Sequence, residues 1–161
     1  MSPSSSGPGP RLFTSLTGVR LPLGTPTTPS SSETSIDLTG LPELDESDLR
    51  FLWVHDYYDG ALSGALVYRG EIGWFEYCGE SGNLRRYVVL RLTPAQIADE
   101  QHWHALFVEH VGDHWTFRAD GSSGTVRPIE EHARFYDAYA KRAPVDYSGN
   151  PIIGWVESSR W

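Results

Sequence analysis

Residues 62–92 read LSGALVYRGEIGWFEYCGESGNLRRYVVLRL, and this stretch decides the fold. It divides into three runs, residues 62–69, 71–78 and 85–92, rich in the β-branched and aromatic side chains that suit a pleated surface. Arg69-Gly70 leaves room for only a tight turn between the first two runs, and residues 79–83 (GESGN) form a second short connection. Strands joined this tightly run antiparallel. A fourth run, residues 50–56 (RFLWVHD), precedes them and is expected in the same sheet, at an edge or at its centre.

Beyond residue 92 the punctuation becomes helical. Thr93, Pro94 and Gln96 supply a capping hydroxyl, a first-turn proline and a capping-box amide, predicting a helix from Pro94 to about Val111, stopped by Gly112. On it, His104 falls among Ile97, Phe107, Val108 and Val111 on the apolar face. A second helix is expected from Pro128 and must end before Pro144, with Ile129, Ala133, Tyr136 and Ala140 as its inward stripe. Residues 114–118 and 152–157 are expected as further strands. Strands in one block and helices in the next predict an α+β fold: an antiparallel meander of about four to six strands packed with two helices.

The first third of the chain is different in kind. Residues 1–49 hold seven of the 11 prolines and one aromatic, Phe13, whereas residues 50–161 hold the other 19 aromatics. A segment with so little to bury does not offset the entropy of ordering it, so residues 1–49 are expected as a disordered tail before one folded domain, residues 50–161. Residues 33–48 carry six acids and no base, which suits a solvated linker or a short arm for a basic partner.

Composition also narrows the function. A formal charge of −8 argues against a protein that binds nucleic acid by neutralising phosphates. No apolar run approaches the roughly 18 residues of a membrane span, so no membrane association is expected and the cytoplasm is the default location. One cysteine, Cys78, precludes an intramolecular disulfide; it stands between Glu76 and Glu80, which disfavour a thiolate, so an inert thiol is expected. His102 and His104 diverge on a helix, and no zinc-site spacing occurs, so neither metal nor cofactor is expected.

The segment richest in binding chemistry is residues 56–64, DYYDGALSG. It packs carboxylates, phenols, a hydroxyl and turn-forming glycine into what reads as a loop held by a sheet, where recognition groups concentrate. Asp56, Tyr57, Tyr58, Asp59 and Ser63, with Trp74 and Glu76 from a neighbouring strand, are the candidate binding residues. They are expected to form an acidic-aromatic surface on a non-enzymatic binding or regulatory domain, of the immunity or inhibitor type, that takes a basic protein or a small ligand. The alternative is a small hydrolase or lyase in which Asp56 and Asp59 act with His55, His104 or His114 as base.

Overall fold

A computed structural model describes residues 36–117, 122 and 124–159. Strands β1 (Leu49–Tyr57), β2 (Ala61–Tyr68), β3 (Glu71–Ser81), β4 (Leu84–Arg91) and β5 (Ile152–Ser158) make one antiparallel sheet in the order of the chain. Arg69 and Gly70, at φ 48° and 86°, both take the left-handed conformation of the tight hairpin turn that matches strand twist. β3 runs on to Ser81, so its connection to β4 shrinks to Gly82-Asn83. β1 takes an edge position, and β5 comes in beside β4.

Both outer edges carry short pairings. Trp155 N–H donates to Pro42 O at 3.0 Å and Leu44 N–H to Trp155 O at 2.7 Å, which seats residues 42–44 along β5. On the far side Val54 N–H donates to Trp115 O and Phe117 N–H to Leu52 O, at 3.0 and 2.8 Å. Pairing of this kind blunts the tendency of open edges to recruit other chains. Residues 114–118, expected as a strand, thus contribute only an isolated bridge at Thr116, and Arg118 lies outside the described residues.

The folded unit begins earlier than composition suggests. Leu44 and Leu49, assigned to the tail by sequence, are buried in the core with Phe51, Phe75 and Val156. The acids around them are employed locally: Asp45 accepts from Ser47 N–H at 2.8 Å, Ser158 donates to Glu46 at 2.6 Å, and Arg69 donates to Asp48 at 3.3 Å. Proline and serine content conceals the leucine spacing that carries this strap. The rest of the expected tail, residues 1–35, lies outside the described residues.

One sheet face buries Phe51, Leu66, Phe75, Tyr87 and Val89. The other carries Trp53, Ala65, Trp74 and Leu90 and faces the helices α1 (Pro94–His110) and α2 (Ile129–Tyr139). The α1 capping box is complete: Gln96 N–H donates to Thr93 Oγ1 at 3.3 Å and Thr93 N–H to Gln96 Oε1 at 2.8 Å. Gly112, at φ 131°, turns the chain out of the helix. α2 departs from the expected stripe: Ile129 is 56% exposed and Ala133 and Ala140 face solvent, while His132 and Phe135 are buried. The aromatic set His132, Phe135, Tyr136 and Tyr139 has equally good helical spacing and more area to bury, so it turns inward. Among the described residues no helix is long and apolar enough to cross a membrane.

Candidate functional site

The strand register sets two rows of side chains side by side on the helix-facing surface. Trp53 pairs with Ala65 and Ala65 with Trp74, so two indoles flank a methyl group. Nearer the β1–β2 turn, Asp56 pairs with Ser63 and Ser63 with Glu76, so two carboxyl groups flank a hydroxyl. Adjacent strands lie about 4.8 Å apart, and a small residue between two large ones leaves a trough in each row. Trp103 and Phe107 from α1 and Phe135, Tyr136 and Tyr139 from α2 roof the space above, enclosing a cavity of about 880 Å³. That volume lies within the range of small-molecule sites, roughly 300–1,000 Å³.

A buried ion pair braces the roof against the sheet. Glu100, 2% exposed on α1, accepts from Arg142 Nη2 at 2.6 Å and from the Tyr147 hydroxyl at 2.6 Å. Arg142 also donates to Asp99 at 2.5 Å, and to the Tyr139 hydroxyl at 3.4 Å. Tyr139 in turn lies 3.0 Å from His55 Nε2, and His55 Nδ1 lies 3.8 Å from Glu100 Oε2. With Arg142 supplying the donor to Tyr139, the phenol donates to Nε2 and the proton of a neutral His55 sits on Nδ1, toward Glu100. Burial pushes His55 below its ordinary value despite the pull of Glu100, which keeps the ring in that neutral form.

His104 is also neutral. Burial lowers it to about 4; it stacks on Trp53 at 4.1 Å between centroids and meets Thr116 Oγ1 at 3.2 Å. On the sheet, burial pushes Glu76 upward, with the Trp74 indole N–H opposing the shift. The same Trp74 Nε1 is buried and makes no hydrogen bond of normal geometry. Burial also raises the Cys78 thiol, a larger effect than that of any neighbouring charge.

Five of the seven candidate residues line the cavity: Asp56, Tyr57, Ser63, Trp74 and Glu76. They do so from strands, because β1 and β2 extend into the segment read as a loop and leave only Tyr58, Asp59 and Gly60 as the turn. Tyr57 leans on Trp115 at 4.6 Å between centroids. Tyr58, 66% exposed, and Asp59, at φ 50°, point away from the cavity as turn residues, and Arg85 donates to the Asp59 carbonyl. Trp74 corrects the picture of a displayed surface: at 1% exposure it is part of the cavity floor. Asp56 and Asp59 are therefore not brought together on the cavity, and His114 is not among its lining residues.

Sequence reasoning passed over Glu100, Arg142, Tyr139 and Tyr147. The available signal was Glu100, a charge in register with the apolar stripe of Ile97, His104 and Phe107. Among the described residues, no three His, Cys, Asp or Glu side chains are grouped to hold a metal ion. Comparison of the chain with protein families, curated proteins and solved structures finds no match.

Proposed function

We propose that this domain is a non-enzymatic binding module that takes a small organic molecule into the aromatic cavity between its sheet and its helices. The observation that carries this reading is the cavity itself: about 880 Å³, walled by indole and phenol rings, with a few polar groups at fixed positions. A site for a protein surface has less support. Trp74 is buried, and Tyr57 and Tyr58 are the only large aromatics of the candidate set that reach solvent. The polar network supports binding over catalysis as well. His55 Nε2 is engaged by the Tyr139 hydroxyl, its Nδ1 faces Glu100 at 3.8 Å, and the Arg142 guanidinium is held by Asp99 and Glu100.

The exposed lining residues Tyr57, Ala140, Ala143 and Pro144 mark the mouth, between the β1–β2 turn and the end of α2. The test is a thermal-shift screen of small organic compounds against the wild-type chain and against Ala140→Trp, whose indole would fill the mouth. Ligands that raise the wild-type midpoint and lose that effect in Ala140→Trp support the reading. A screen without hits, or hits that stabilise both chains equally, overturns it.

A further inference from the structure

At one place in the ring-walled cavity, polar groups of the sheet stand open. Ser63 and Glu76 are direct cross-strand partners on β2 and β3, and both line the cavity. Side chains paired in this way start about 5 Å apart at their Cβ atoms, so one oxygen atom seated between them is within reach of both. Among the described residues, neither side chain makes a hydrogen bond of normal geometry; the Trp74 indole N–H approaches the Glu76 carboxyl without attaining it. A carboxylate accepts through both oxygens, and a serine hydroxyl donates as well as accepts. The pair therefore matches a group that gives a proton to Glu76 and takes one from Ser63. Other polar groups of the lining are occupied. Arg142 is held by Asp99 and Glu100 at 2.5 and 2.6 Å, His55 Nε2 meets the Tyr139 hydroxyl at 3.0 Å, and Asp56 Oδ1 accepts from Tyr57 N–H at 3.0 Å.

From this arrangement we infer that the ligand is an uncharged aromatic alcohol whose hydroxyl group sits between Ser63 and Glu76, donating to the carboxyl and accepting from the serine. This deepens the small-molecule reading and rests on it. The ring of the ligand lies against Trp103, Phe107 and Tyr139, which take an aromatic partner in offset or edge-on contact. A hydroxyl suits the place better than a charged group. A carboxylate finds no free cation among the described lining residues, since Arg142 is committed and burial keeps His55 and His104 neutral. An ammonium group needs a fully ionised partner, and burial and Asp146 both press Glu76 toward its neutral form. A hydroxyl gives up less hydration than either ion and pairs with the carboxyl in either state.

The experiment uses the full chain and matched sets: phenylethanol, phenylpropanol and naphthylethanol, each with its methyl ether and with the primary amine of the same skeleton. Affinities come from calorimetry. In at least one set the alcohol should bind about tenfold tighter than its methyl ether, and tighter than its amine. Glu76→Leu should reduce the alcohol-to-ether ratio to about twofold or less. Ethers or amines that bind at least as tightly as the alcohols, or a ratio that Glu76→Leu leaves unmoved, overturn the assignment and leave the cavity reading standing. The absence of binding by every compound at millimolar concentration overturns the assignment too and, with a thermal-shift screen that yields no hits, the cavity reading as well. Should Glu76→Leu fail to fold, Ser63→Ala carries the same comparison from the neighbouring strand.

Discussion

Tyr147 donates its phenolic proton to Glu100 Oε1 at 2.6 Å, the same oxygen that receives Arg142 at 2.6 Å. A carboxylate this deeply buried is tolerable only because two donors converge on it, and those donors come from the segment after α2. The contact therefore ties that segment to α1, and with it fixes the roof of the cavity over the sheet.

Removing the carboxylate should be expensive. Glu100→Ala leaves the buried guanidinium with Asp99 as its remaining carboxylate partner, and we expect it to lower the unfolding free energy by about 3 kcal/mol. Tyr147→Phe removes one charge-assisted hydrogen bond and should cost about 2 kcal/mol. Urea denaturation followed by tryptophan fluorescence measures both; equal, negligible losses would show that the network does not brace the roof.

Stability should depend on pH in a defined window. Burial lowers His104 from an ordinary 6.5 to about 4, and pushes His55 and His114 down too. Each of these rings takes its proton more readily in the unfolded chain. Their contribution is therefore intact above about pH 6.5 and is lost progressively as the pH falls toward 4. His104 alone accounts for about 3 kcal/mol across that window. Glu76, raised by burial, works in the opposite sense and softens the slope. Denaturation midpoints measured between pH 7 and pH 4 should fall with acid, and His104→Phe, which keeps a ring against Trp53, should flatten the fall.

The early strap gives a third test. Leu44→Ala should destabilise the chain by about 2–5 kcal/mol, as for a core leucine, whereas a residue in a disordered tail would cost nothing. An unchanged denaturation midpoint would return residues 36–49 to the tail.

A fourth lies in the sheet. A methyl group at Gly64 would press on the Trp53 carbonyl oxygen and the Phe75 ring, neither of which is the loose end of a flexible chain. Gly64→Ala should therefore cost about 1–3 kcal/mol, measured by the same denaturation, and a neutral substitution would mean that the β1–β2 spacing is wrong.

The sheet was legible because its signals are local. The two-residue Arg69-Gly70 turn, the short connection at residues 79–83 and β-branched runs specify a meander without reference to anything distant, and the Thr93–Gln96 capping box marks α1 within four residues. What was hidden is non-local. In α2, one stripe through Ile129 and Ala133 and another through Phe135 and Tyr139 have the same periodicity, and only the tertiary partner, Phe107 or Trp103, decides between them. The candidate site was half visible for the same reason. Asp56, Ser63 and Glu76 stand out as polar residues around a sheet, but the roof comes from residues 27 to 83 positions later in the chain. No spacing rule joins Glu100 to Arg142 and Tyr147, and nothing in the sequence distinguishes Trp74 on a surface from Trp74 beneath a cavity.

The most direct test of a ligand in this cavity is the indole N–H resonance of Trp74 in a ¹H–¹⁵N correlation spectrum, recorded with and without a saturating compound from the thermal-shift screen. The proton has no partner of normal hydrogen-bond geometry in the unliganded chain, so occupancy should move it by more than the indole signals of Trp155, which lies outside the cavity lining. A bound compound that leaves the Trp74 signal in place while shifting residues elsewhere would contradict a site between the sheet and the helices.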